Sequence, residues 1–162
     1  MTTGFAEAQR PFGAETEIGR LVSLFGGQKL LKHPVSTPIE AHEMILQGIP
    51  SQALESFIAR LHVIDPSEAF AKALGISVRT FQRRKANAAS RLSPEQSSRT
   101  WSFARVFARA TIVFGSQDEA EKWLLEPALG LDGRRPIDLL ATAAGAELVQ
   151  EFLDRIDYGV YA

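Results

Sequence analysis

The chain of 162 residues has no cysteine, which excludes disulfides and thiolate metal sites and agrees with a reducing compartment. No apolar run approaches the roughly 18 residues a membrane-crossing helix needs, and the N-terminus lacks the basic, apolar, small-residue order of a secretory signal. These absences predict a cytoplasmic protein with no membrane partner. Histidine is scarce, and His33, His42 and His62 do not have metal-site spacing. No HExxH, phosphate loop or GxGxxG occurs. His42 and Glu43 are helical neighbours, which do not face each other and so make a poor dyad. With no marked nucleophile, no catalytic residue, metal or cofactor is expected, and the chain does not read as an enzyme. A dominant charge is missing too, the formal net charge being -1.

What is present is enough apolar material, 45% of residues, to bury a core in one domain or two small ones. The neutral total hides a segregation of charge. From Pro66 to Pro94 there are six Lys or Arg and one acid, a balance of +5, whereas Gln117 to Ala162 holds ten acids and four bases, a balance of -6. The two regions are expected to do different jobs, although the acidic tail could also mask the basic helix or repel stray nucleic acid.

Helix starts are unusually regular. Thr37 to Glu40, Asp65 to Glu68, Ser93 to Gln96 and Ser116 to Glu119 all fit a capping box, and three of them place Pro at the first helical position. Gly48, Gly75, Gly115 and Gly159 supply stops, and Pro127 follows another. The pattern predicts an all-α fold with helices near 38–47, 50–62, 66–73, 78–86, 94–114, 117–125, 136–141 and 143–157. Residues 1–36, rich in Gly and Pro around the cluster Ile18 to Phe25, are expected to form a flexible N-terminal arm with one helix at most, and a short strand there is the main exception allowed. The aromatic helix near 94–114, with Trp101, Phe103, Phe107 and Phe114, must be covered, either as domain core or as a subunit interface.

The stretch Asp65 to Asn87 reads as two short helices around a Gly turn, the outline of a helix-turn-helix. Ala71, Leu74, Gly75, Ile76 and Phe81 supply the small residue at the crossing, the turn and the apolar flanks. With Phe81 inward, Arg79, Gln82, Arg83 and Ala86 share an outward face. Arg can donate a bidentate pair to guanine, Gln can pair with adenine, and Ser77 at the N-cap can meet a phosphate. Ser77, Arg79, Thr80, Gln82, Arg83 and Lys85 are therefore the candidate DNA-binding residues. Arg84 stands where an aliphatic residue is usual, so its stem must pack while its head reaches solvent or phosphate. Pattern alone equally allows a structural corner with a solvated basic helix.

More specific residues lie downstream: Trp123-Leu124, Pro127-Ala128-Leu129-Gly130, Arg134 to Leu140, then Gly145, Val149, Leu153, Arg155-Ile156 and Tyr158-Gly159-Val160. This run resembles the C-terminal domain of the MbcA/ParS/Xre antitoxin family. GIPSQAL at 48–54, GISVRTFQRR at 75–84 and RLSPEQSSR at 91–99 look like the Xre-type N-terminal portion of the same antitoxins, so the likeness covers residues 38–162. Two positions depart from the family pattern: Glu126 replaces a usual Asn, and Leu131-Asp132-Gly133 replaces a double-Gly turn. The resemblance implies a helix-turn-helix DNA-binding domain, here 37–92, followed by a small helical toxin-binding antitoxin domain, here 93–162. It implies a type II antitoxin without enzymatic activity, which neutralises a RES-domain toxin that consumes NAD, forms a homodimer and larger complexes with that toxin, and represses its own operator DNA.

In the last helix Leu148, Val149, Phe152 and Ile156 are expected to form a buried stripe, leaving Glu147, Glu151, Asp154 and Asp157 as an acidic outer face. The tyrosine-rich end suits insertion into a partner's cleft, since Tyr adds contact area at low entropic cost. Glu151, Asp154, Arg155, Tyr158, Gly159, Val160, Tyr161 and Ala162 are the candidate toxin-binding residues, expected to obstruct the toxin's NAD site. The other reading is that Tyr158 and Val160 pack on their own domain. Two alternatives for the whole chain are a stand-alone regulator whose C-terminal domain only dimerises, and an adaptor that plugs an enzyme without binding DNA.

Overall fold

A computed structural model describes residues 16–159. Its helices are α1 (Glu17–Leu24), α2 (Gln28–Leu31), α3 (Pro38–Gln47), α4 (Ser51–Ile58), α5 (Pro66–Glu68), α6 (Val78–Lys85), α7 (Pro94–Phe114), α8 (Gln117–Leu125) and α9 (Ala143–Asp157). Helix α5 continues as a π-helical segment, Ala69–Leu74, and 3-10 turns occupy Leu129–Leu131 and Pro136–Ala141. The all-α expectation holds: among the described residues the only β pairings are the isolated bridges Pro50 to Arg91 and Ala128 to Arg134.

The predicted starts are real, but only one is a complete capping box. Ser93 Oγ accepts from Gln96 N and Gln96 Oε1 accepts from Ser93 N, each at 3.1 Å. Thr37 caps Glu40 N, yet the Glu40 carboxylate reaches past it to Ser36 N at 2.6 Å. Asp65 caps Ser67 N, which frees Glu68 for a distant arginine. Hydrogen bonds from the Ser67 hydroxyl and then the Ser67 amide hold the Asp65 carboxyl below the usual carboxylate range.

Helix α7 is the axis of the molecule, packing against α1, α3, α8, α9 and the 69–74 segment. At its centre Phe57 of α4 meets three rings, Phe25, Phe103 and Phe107, at centroid distances of 5.4, 5.3 and 5.4 Å. Aromatic rings at these separations add edge-to-face attraction to the area they bury. A second stack, Phe114 to Trp123 at 5.2 Å and Trp123 to Phe152 at 6.2 Å, joins α7, α8 and α9.

The described part of the expected arm is not loose. Leu21, Phe25, Leu31 and Val35 are buried in the common core, and Phe25 stacks on Trp101 at 6.0 Å. Burying such side chains contributes about 1.5–3 kcal/mol each, which outweighs the unfavourable Gly content of the segment. Residues 1–15 lie outside the described residues.

Glu121 of α8 is fully buried, and its carboxylate is a hub for the loop after α4. It accepts from the amides of His62, Val63 and Ile64 at 3.0 Å, and from Gln117 Nε2 at 3.0 Å. A buried carboxylate is tolerable only with such partners, and these fix α8 against the start of the helix-turn-helix.

Candidate functional site: a basic helix and an exposed C-terminal face

The helix-turn-helix is formed by the 66–74 helix and α6, clamped by Phe70 against Phe81 at 4.7 Å with Ile76 buried between the helices. The expected small residue at the crossing is misplaced. Ala69 and Ala73 are fully buried and Ala71 is exposed, so the inward face carries the i, i+4 pair on either side of Ala71. Gly75 has φ +65° and lies against the Arg99 guanidinium, where an added Cβ would sit 1.9 Å from Nη1. Arg99 of α7 in turn donates to the carbonyls of Ala73 (3.2 Å) and Lys72 (3.4 Å), capping the first helix from outside the motif.

On α6, Ser77 is the N-cap: its Oγ accepts from Thr80 N at 3.0 Å and donates to Thr80 Oγ1 at 2.7 Å. Arg79, Gln82 and Arg83 are exposed, share one helix face, and make no hydrogen bond or ion pair among the described residues. Thr80 is half-buried with its hydroxyl engaged, and Lys85 Nζ pairs with Glu55 Oε1 at 2.7 Å. Arg84 is half-buried, and its head turns back toward α7. It donates to Gln96 Oε1 at 2.9 Å, tying α6 to the capping box of α7.

The C-terminal candidates divide into two groups. Asp154 and Asp157 turn toward α7, where Arg109 holds them at 2.9 and 2.8 Å. Burial opposes the Arg109 charge, but the bonds to Asp157 and Asp154 outweigh it and keep the guanidinium pKa above its ordinary value. Glu151, Arg155 and Tyr158 instead point outward, with Tyr158 79% exposed and Gly159 following at φ +72°. Val160, Tyr161 and Ala162 lie outside the described residues.

The buried stripe of α9 is Gly145, Ala146, Val149 and Leu153; Phe152 and Ile156 are half-buried, and Leu148, expected inside, is 54% exposed. Leu129 is the most exposed large apolar residue described, at 96%. Sequence reasoning passed over it, although an apolar residue set between Pro127 and Gly130 is poorly placed to join a helical stripe. The departing turn is explained: Asp132 (φ +56°) and Gly133 (φ +73°) both adopt the left-handed conformation that a double-Gly turn would supply.

His62, Asp118 and Glu121 converge, with ligand atoms within 4.8 Å of one another. Both Glu121 oxygens already accept hydrogen bonds from the chain, and His62 Nδ1 lies 2.7 Å from Asp118 Oδ1. This is the geometry of a structural latch. No helix among the described residues is long and apolar enough to cross a membrane.

Comparison with known proteins bears on both surfaces. Residues 40–105 match the antitoxin Xre-like helix-turn-helix domain, and residues 109–159 match the antitoxin Xre/MbcA/ParS C-terminal toxin-binding domain. The chain is 35% identical over 98 residues to the antitoxin Xre of Yersinia enterocolitica, a match spanning 60% of this chain and 66% of that protein. It is 31% identical over 136 residues to the Prs ADP-ribosylating antitoxin of Sphingobium sp., spanning 78% of this chain and 84% of the relative. With the antitoxin Xre of Pseudomonas putida the identity is 30% over 133 residues, covering 82% and 80% of the two chains. A basic helix-turn-helix joined to this C-terminal domain, matched along most of its length by antitoxins, shows that the chain belongs to the Xre/MbcA/ParS antitoxin family.

Proposed function

We propose that the chain is the antitoxin of a type II pair, that it binds and neutralises a RES-domain, NAD-consuming toxin through its C-terminal domain, and that it represses its own operon through α6. The observation that carries this reading is the coexistence on one chain of the two matched domains, the first presenting Arg79, Gln82 and Arg83 unpaired on one helix face. Such a face supplies bidentate donors for base edges and cations for phosphates. The protein acts by occupying a partner and has no catalytic step of its own, and it works in the cytosol where its operator is. A homodimer would set two α6 helices about one DNA turn apart, giving the affinity that one short helix lacks.

The neutralising element is the outward face of α9 with the chain end that follows Tyr158. An acidic, tyrosine-bearing segment suits a cleft whose basic groups handle a pyrophosphate. A second reading of the partner is favoured by the Sphingobium relative, whose name refers to ADP-ribosylation of Prs: the toxin would then be an ADP-ribosyl transferase. Both partners draw on NAD, so the same obstruction serves either. Copurification with the product of the neighbouring gene, followed by mass measurement of the complex, tests the proposal. Recovery of a RES-domain protein in defined stoichiometry is the expected result, and a chain that purifies alone beside an expressed RES-domain protein would refute it.

A further inference from the structure

Leu129 is held out of the protein by a rigid support. Its turn is closed by Gly133 N to Ala128 O (2.9 Å), Ala128 N to Arg134 O (3.0 Å) and Asp132 N to Leu129 O (3.1 Å). The next residue, Gly130, lies on the ring of Phe152 so closely that a Cβ would come within 2.2 Å of it. Phe152 is backed by Trp123, and Trp123 by Phe114 of the central helix. Leu129 therefore projects from a hydrogen-bonded turn seated on a three-ring stack, yet it buries almost none of its own surface. A leucine in that position contributes little to the isolated fold, while its hydrogen-bonded backbone lowers the entropic cost of burying it in something else. One turn before Phe152 on the same helix face stands Leu148, more than half exposed, and Glu151 and Arg155 continue that face with opposite charges.

We infer that Leu129, with Leu148 on the helix that supports its turn, is the apolar anchor by which the C-terminal domain docks on its toxin, entering a hydrophobic socket whose polar rim meets Glu151 and Arg155. The inference rests on the toxin-binding reading above and deepens it, because the sequence pointed to the acidic helix and the tyrosines, gave Leu129 no role of its own and expected Leu148 inside the core. The toxin is the occupant because both leucines lie within the matched toxin-binding domain, and Leu148 shares its helix face with Glu151 and Arg155, while the opposite flank of α9 is already occupied by Arg109. A small apolar centre with a polar rim is the anatomy of a protein–protein interface.

The test uses the full chain and the RES-domain protein encoded beside it, titrated by calorimetry against wild type, Leu129→Ser, the Leu129→Ser/Leu148→Ser pair, Leu129→Met, and Leu46→Ser as an exposed apolar control on α3. The expected result is a loss of about 30-fold in affinity for Leu129→Ser, equivalent to about 2 kcal/mol, and a larger loss for the pair. Leu129→Met should stay within about threefold and Leu46→Ser should be unchanged, with melting temperatures and DNA binding unaltered throughout. Wild type failing to bind the RES-domain protein would remove the toxin reading and this inference together. Wild-type binding with undiminished affinity in the serine pair would overturn the anchor and leave the toxin reading standing. A serine pair that keeps toxin affinity but loses self-association in light scattering would assign the patch to a second copy of the chain, which also overturns it.

Discussion

Arg135 Nη1 lies 2.6 Å from Glu68 Oε1, joining the 3-10 turn before α9 to the first helix of the helix-turn-helix. The same guanidinium holds both oxygens of Asp138, at 2.9 and 3.0 Å, and Lys72 Nζ stands 4.0 Å from that carboxylate. The hydrogen bonds to Asp138 and then Glu68 hold the Arg135 pKa above its ordinary value. Replacing Arg135 by Ala leaves half-buried Glu68 without its cation and Asp138 with only the more distant Lys72. A destabilisation of about 1 kcal/mol is expected from urea unfolding, and a double-mutant cycle with Glu68→Gln should show coupling energy between the two portions.

Acid should weaken this contact in a predictable window. The hydrogen bond from Arg135, helped by the charges of Arg135 and Lys72, holds the Asp138 carboxyl below its usual range. A depressed folded-state pKa means that the contribution is complete above the unfolded value, about 3.9, and disappears as pH falls through the folded value beneath it. Wild type and Asp138→Asn should therefore differ most near neutrality and converge in strong acid. Urea midpoints measured across that range check the sign, and a difference that grows on acidification would contradict it.

Arg79→Ala and Arg83→Ala should weaken binding to the chain's own promoter while leaving toxin neutralisation intact. If one arginine reads a guanine, its loss costs about 1–3 kcal/mol and relaxes the preference at one base pair. If it meets phosphate, the loss is uniform across sequences and the salt slope falls by about 1. Mobility shifts at several salt concentrations separate the two roles, and an undiminished affinity in the double variant would remove α6 as the reading helix.

Gly75→Ala should destabilise by more than about 1 kcal/mol, because the backbone is left-handed there and the Arg99 guanidinium fills the space a side chain would need. Arg99 can swing away only by releasing the Ala73 and Lys72 carbonyls. The destabilisations of Gly75→Ala, Arg99→Ala and the double variant, measured by thermal melts, should thus be less than additive.

Deleting residues 158–162 should reduce toxin neutralisation in a growth-rescue assay and lower toxin affinity, with DNA binding unchanged. Tyr158 is exposed and Gly159 ends the helix, so the cut removes no part of the described core. Full neutralisation by the shortened chain would exclude the tail from the toxin's active site.

Helix existence was legible because caps and stops are local: Ser93, Pro94 and Gly115 mark the ends of α7 without reference to anything distant. The exposed face of α6 was legible for the same reason, since Phe81 inward dictates where Arg79, Gln82 and Arg83 point. What escaped were the features set by partners far along the chain. Leu21, Phe25, Leu31 and Val35 do not share one helical period, because Gly26 and Gly27 break them into two short helices, so their common burial shows only when α7 is in place. Ala69, Ala71 and Ala73 are locally equivalent small residues, and only the packing of the segment selects Ala69 and Ala73 for the inside. On α9 the sequence predicts one stripe of Leu148, Val149, Phe152 and Ile156, and the core takes Val149 with Leu153 while leaving Leu148 outside, since contacts from other elements set the rotation of the helix. Lys85 and Arg84 were assigned by charge alone, whereas Glu55 and Gln96 decide where they go.

The two family domains, 40–105 and 109–159, meet inside α7, and the rings Phe103 and Phe107 on that helix close around Phe57 from α4. For the evolution of such proteins this restricts what can be inherited separately. A crossover between relatives in the loop between α6 and α7 avoids splitting a helix, yet it parts Phe57 from the rings that enclose it. If α6 reads the operator as proposed, a lineage that exchanges its front half must also receive a matching aromatic centre, so new DNA sites are reached more readily by changing Arg79, Gln82 and Arg83 in place.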